Sequence, residues 1–125
     1  RPSLFTDIER SSILWEMHPQ AMGRALAQHD ALMRAVFVEH RGQVFKTMGD
    51  AFVVDFPSVV HAVQCAQHVQ EQFRHYNTET AKEEQIHVRI GIHLGDIIEQ
   101  NGDVFGDGRE WAPTTGGVGA GRRPQ

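Results

Sequence analysis

An α+β fold built on an antiparallel sheet is predicted for this chain by three observations. Strand-like and helix-like segments follow one another in the order strand, helix, strand, strand, helix, strand, with a further hairpin behind them. Short turn signals, Met48-Gly49-Asp50 and Asn101-Gly102, join neighbouring strand-like runs as hairpins. The length of 125 residues, with 40% hydrophobic and 22% charged residues, suits a single globular core rather than a disordered or fibrous chain. This element order is that of a ferredoxin-like split βαβ sheet with its helices on one face.

Each element has a local reason. Leu4 to Ile8 is a short apolar run that tolerates extended backbone. From Ala21 to His40, Met22, Leu26, Met33, Val36 and Phe37 fall near one helical stripe, and Gly42 is expected to stop that helix. Val44 to Thr47 and Ala51 to Phe56 read as two strands of a hairpin. Pro57 ends the second, and Ser58 can cap a helix whose stripe runs through Val59, Ala62, Val63, Ala66, Val69 and Phe73. Ile86, Val88, Ile90, Ile92 and Leu94 alternate with His87, Arg89, Gly91 and His93 along a one-sided strand, and Asp96 to Gln100 is expected to continue it. Val104 and Phe105 follow the Asn101-Gly102 turn. Seven of the twelve glycines lie after Gln100, and no periodicity survives beyond Arg109, so a boundary is expected near Gly108 with a flexible, disordered tail at 109–125.

Several function classes are excluded at this level. A net charge of −4 argues against a basic nucleic-acid-binding surface. The single Cys65 permits no internal disulfide and is expected to be a small core residue, which suits a reducing, cytoplasmic setting. No apolar run approaches the ~20 residues that cross a bilayer, so no membrane contact is expected. Eight histidines are many, but no His-x-x-x-His pair or Cys/His cluster has zinc spacing, and a separate metal site is not expected. Trp15 and Phe5 are expected to pack in the interior rather than to stack on a base.

The predicted topology has a geometric consequence. The first and third strands lie side by side and antiparallel, so the end of the first meets the start of the third, bringing Asp7 and Asp50 to one edge although they are 43 positions apart. Two adjacent carboxylates repel unless something positive lies between them, and a divalent metal is one answer. The alternative is that each aspartate serves its own turn.

The wording around these residues resembles a known family. Leu4-Phe5-Thr6-Asp7-Ile8-Glu9-Arg10-Ser11-Ser12 with Leu14-Trp15-Glu16, and then Phe45-Lys46-Thr47-Met48-Gly49-Asp50-Ala51-Phe52, resemble the two metal motifs of bacterial class III adenylate/guanylate cyclase catalytic domains. Arg89-Ile90-Gly91-Ile92-His93-Leu94-Gly95-Asp96 and Gly102-Asp103-Val104-Phe105-Gly106-Asp107-Gly108 resemble the third and fourth motifs. The four cover residues 4–108 in family order, so 1–108 reads as a partial domain of this kind, incomplete at its C-terminus.

The resemblance implies two-metal phosphoryl transfer that converts ATP to 3′,5′-cyclic AMP and pyrophosphate, with two Mg²⁺ or Mn²⁺ ions per site. It implies metal ligation by Asp7, Asp50 and the backbone carbonyl of Ile8, and phosphate binding by the backbone of Glu9, Arg10, Ser11 and Ser12. Arg10 stands where the family commonly has Gly. Lys46 and Asp103 match the purine-specifying pair: a donor-only lysine suits adenine N1, and an acceptor-only aspartate suits the exocyclic amine. A homodimer is implied for the complete domain, with each site shared between subunits.

The family's catalytic Asn and Arg, carried on a helix, are absent; Glu110 and Thr114 stand there, and Pro113 would disrupt a helix interior. Codons exist for Arg109-Glu110-Trp111 and Thr114-Thr115-Gly116 that, read one base later, restore Val-Asn and Arg-Leu-Glu. An inactive chain of cyclase ancestry is expected, the alternative being a catalytically silent nucleotide- or metal-binding regulatory or dimerisation module. The absence of a Gly-Gly-acidic-acidic-Phe run disfavours a diguanylate cyclase.

Overall fold

The computed structural model describes residues 1–95 in full and, beyond them, the backbone of three short strands at 97–100, 103–106 and 114–115. The elements are β1 (Ser3–Ile8), α1 (Ser11–Met17), α2 (Pro19–Glu39), β2 (Gln43–Met48), β3 (Ala51–Asp55), α3 (Val59–Thr78), a 3₁₀ turn (Lys82–Glu84), β4 (Val88–His93), β5 (Ile97–Gln100), β6 (Asp103–Gly106) and β7 (Thr114–Thr115). The main sheet has the order β2-β3-β1-β4-β7, and every pairing in it is antiparallel. Its first four strands have the expected ferredoxin-like order.

Register fixes which side chains face the helices. Leu4 lies between Val54 and Ile92, and Thr6 between Phe52 and Ile90. Those rows pack against Met22, Met33, Val36 and Phe37 of α2 and against Ala62, Ala66, Val69 and Phe73 of α3 in one core. Burying each large apolar side chain contributes about 1.5–3 kcal/mol. Cys65 is fully buried there, and burial pushes its thiol up to about 12, which leaves it unreactive.

Both helix ends that matter for the sites are shaped by local rules. Ser58 caps α3 by accepting from the His61 N–H at 3.3 Å. At the end of α2 the residue that turns left-handed is Arg41, at φ 63°, not Gly42. The Gly42 N–H donates to the Phe37 carbonyl at 2.7 Å and the Arg41 N–H to that of Val38 at 3.2 Å, the bonding of a Schellman motif. Gly42 is needed for a different reason: a Cβ there would stand 2.9 Å from the Phe56 ring and from Val54.

Three expectations are corrected. Asp96 to Gln100 does not continue β4, which ends at His93; Ile97–Gln100 instead pairs with Asp103–Gly106 in a separate two-stranded sheet. Leu94, just past the end of β4, is more than half exposed. Trp15 is no interior residue: with Ile13 and Met17 it lies exposed on α1, a helix of seven residues that buries none of its own. Val59 likewise lies outside the stripe of α3, in its exposed first turn. The tail expected at 109–125 lies outside the described residues except for Thr114 and Thr115, which pair with Ile90 and Arg89.

Candidate active site

The end of the sheet where β1 stops is built by the pairing of β1 with β3. Thr6 faces Phe52, so the next residues, Asp7 on one strand and Asp50 in the turn before the other, come to the same end. Asp50 occupies the second place of a two-residue hairpin between Met48 and Ala51, and Gly49 before it, at φ 60°, supplies the conformation that such a turn requires.

The two carboxylates have unequal surroundings. Asp7 is held by Arg89, its register partner on β4: Nε donates to Oδ1 and Nη2 to Oδ2, each at 2.8 Å. This two-pronged pair holds the guanidinium firmly protonated. For Asp50 the balance is different. Burial raises its pKa above the usual carboxylate value, a hydrogen bond from the Ser11 hydroxyl opposes the rise, and the charge of Asp7 adds to it. Its Oδ2 is buried without a hydrogen-bond partner among the described residues.

Glu9 to Ser12 form the turn between β1 and α1. The Glu9 N–H donates to the His87 carbonyl at 2.7 Å, and Arg10, at φ 60° and ψ 29°, adopts the left-handed conformation that glycine takes without strain. The turn therefore keeps a shape suited to glycine even with an arginine in it, and it presents Ser11 to Asp50. Ile8, paired with Val88, is buried. Lys46 lies half-buried on β2, the edge strand. Asp103 opens β6, and its side chain, with those of Glu110 and Thr114, lies outside the described residues. The backbone of Thr114 is strand, where the resemblance implied a helix.

Two side chains here were missed by sequence reasoning. Arg89 lies in a motif that names no partner for it; strand register is the signal that pairs it with Asp7. His29 is completely buried in α2 between the rings of Phe52 and Phe73, with centroids 5.8 and 5.7 Å away. Its Nδ1–H donates to Asp30 at 2.8 Å while Nε2 has no partner among the described residues, and burial lowers its pKa. Two grooves, of about 600 and 410 Å³, open beside Glu9, and neither is lined by Asp7 or Asp50.

The fold and this arrangement define the class. Residues 3–110 match the family model described as the adenylate and guanylate cyclase catalytic domain, and the chain belongs to that family. An adenylate cyclase from Podospora anserina is 33% identical over 114 residues, covering 78% of this chain and 5% of that protein. Receptor-type adenylate cyclase ESAG 4 of Trypanosoma brucei brucei is 40% identical over 74 residues, 59% of this chain and 6% of its own length. This chain thus spans only a small part of such relatives. A solved Trypanosoma brucei adenylate cyclase, described in its monomeric state, superposes with a TM-score of 0.69 at 28% identity, over 94% of this chain and 71% of that one. An adenylate/guanylate cyclase/hydrolase from Silicibacter pomeroyi gives 0.64 at 28%, over 86% and 64%. Among the described residues no helix is long and apolar enough to cross a membrane.

Proposed function

We propose that the chain carries the metal-binding half of an adenylate cyclase site: it binds ATP with two Mg²⁺ or Mn²⁺ ions and by itself forms almost no cyclic AMP. The observation that supports this reading is the convergence of Asp7 and Asp50, with Asp50 Oδ2 left without a partner among the described residues. The donor set fits the ions, because two carboxylates and the carbonyl of Ile8 are all oxygen and suit Mg²⁺ or Mn²⁺. Bound there, paired ions would polarise the attacking 3′-hydroxyl and neutralise charge on the triphosphate.

The chain's own groups prepare for that event. Asp50 is held ready by Ser11, while Asp7 must release at least one of the two bonds it accepts from Arg89. The freed guanidinium then stays beside the site as a cation for the triphosphate. The turn from Glu9 to Ser12 offers backbone N–H groups to phosphate; α1 has only seven residues and adds little dipole of its own. Lys46 and Asp103 read adenine by donor and acceptor, and guanine would leave buried polar groups mismatched at about 1–3 kcal/mol.

Turnover is limited by what stands at Glu110 and Thr114. Losing a transition-state cation from a phosphoryl-transfer site costs on the order of 10³-fold or more. The test is cyclic AMP formation by the 125-residue chain with ATP and Mn²⁺, alongside ATP binding by calorimetry. Binding with negligible turnover is expected; robust turnover overturns the inactive assignment, and absence of both binding and turnover overturns the cyclase reading of the site. The strand backbone of Thr114 favours a second reading, a silent nucleotide-binding module; under either reading Glu110→Asn with Thr114→Arg alone restores no activity, because Pro113 would disrupt the helix they need.

A further inference from the structure

The other end of the sheet carries a cluster that no motif reads. Glu39 and His40 close α2, and His68 faces them from α3. His68 Nδ1 lies 2.9 Å from His40 Nε2 and 2.9 Å from Glu39 Oε2, and the latter two atoms are 3.8 Å apart. Ligands bonded to one zinc ion at about 2.0–2.1 Å stand roughly 3.3 Å apart in tetrahedral geometry. The three atoms outline one face of such a tetrahedron, and the two imidazoles, hydrogen-bonded to each other in the metal-free chain, would turn to share an ion.

We propose that Glu39, His40 and His68 form a binding site for a divalent transition ion of the zinc class, with a fourth position open to water. Two imidazoles and one carboxylate select zinc, nickel or cobalt over the magnesium that an all-oxygen site prefers. The scaffold is stiff where it matters: the Schellman motif and the close approach of Gly42 to Phe56 fix the chain around His40, and His68 sits within a long helix. The imidazoles are largely buried and Glu39 is mostly exposed, so the face opposite the two histidines is reachable by solvent.

The surrounding groups complete the case. The Gln72 amide lies 3.4 Å from His68 Nε2 and, with its oxygen turned inward, accepts from the ring nitrogen that a metal on Nδ1 leaves protonated. The Nδ1 of His61, whose charge reaches His40, is engaged by the Ser58 hydroxyl at 2.6 Å. The ion would fasten the C-terminus of α2 to the middle of α3. This site stands apart from Asp7 and Asp50 by the length of β2, roughly 20 Å.

The experiment is a zinc titration by calorimetry of the untagged, metal-stripped chain in excess Mg²⁺, repeated with Asp50→Asn, His40→Gln, His68→Gln and Glu39→Gln. One equivalent of zinc should bind in wild type and in Asp50→Asn, and the two histidine variants should each weaken it by at least about tenfold. Absence of zinc binding, or affinity unchanged in both histidine variants, overturns the site. Should a histidine variant fail to fold, cobalt absorption of the wild-type chain decides. Tetrahedral bands with imidazole ligation support the site, and an octahedral, all-oxygen spectrum refutes it.

Discussion

The two ends of the sheet gather charge by opposite means. At the end where β1 stops, strand register brings two carboxylates and an arginine together, and every group belongs to a strand terminus or the turn beside it. At the other end, two helices supply two imidazoles and a carboxylate, and the sheet serves only to space them. Oxygen donors at one end and mainly nitrogen donors at the other set the two proposed sites apart in the ions they would favour.

The largest effect that could break this comparison is at the first end. Asp7→Asn or Asp50→Asn should weaken Mn²⁺ binding by about 100-fold, since each removes a charge from the ion's ligand set, while zinc at the histidine end is untouched. Equal Mn²⁺ affinity in wild type and both variants, by calorimetry, would show that the carboxylates do not share an ion. In the metal-free chain the same two substitutions should differ in sign. Asp7→Asn leaves Arg89 without its two-pronged partner and should lower stability by about 1 kcal/mol, discounted for partial exposure. Asp50→Asn removes a carboxylate that burial disfavours and should leave stability unchanged or raised. Urea titration of both variants would check this, and matched losses would refute the unequal roles.

Base choice comes next. In a version with the family's Asn and Arg segment restored, Lys46→Glu with Asp103→Cys should move preference from ATP toward GTP by about tenfold. An unchanged ratio would mean that these residues do not read the purine.

How far the sequence reached differs between the two ends in the same way. β1, the β2–β3 hairpin and the capped α3 announce themselves through apolar runs, Gly49 and Ser58, and once strand order is known the meeting of Asp7 and Asp50 follows. The break after His93 was not legible, because Ile92, Leu94 and Ile97-Ile98 keep an apolar pattern through Gly95, and only pairing shows that a second sheet has begun. Arg41 hid behind Gly42 as the left-handed residue for a similar reason: glycine is the usual occupant, and the close approach of Phe56 that claims Gly42 is a tertiary fact. The histidine cluster was invisible to spacing rules because His40 and His68 lie 28 residues apart on different helices.

Smaller effects sharpen the picture. Arg10→Gly should relieve the left-handed strain and raise stability by up to about 1 kcal/mol, with thermal unfolding as the readout; a loss would mean that the side chain of Arg10 has a stabilising role. His29 gives a pH signature. Its folded pKa lies below the ordinary value of 6.5, so the unfolded chain binds the proton more readily and stability is lost as pH falls below about 6.5. His29→Leu should flatten the decline that sets in below about pH 6.5, leaving the share of His40, which shifts the same way. An undiminished slope in that variant would place the titration elsewhere.

Gly42 shows what such a fold demands of a residue that meets no substrate. Any side chain there would press on Phe56, which is wholly enclosed and has nowhere to retreat. In a library of every single substitution scored for function, position 42 would therefore be as intolerant as the aspartates themselves, a strand's length from them. An intolerance map of this protein would mark two kinds of place with one colour: where chemistry is done, and where the chain passes too close to itself to carry a side chain.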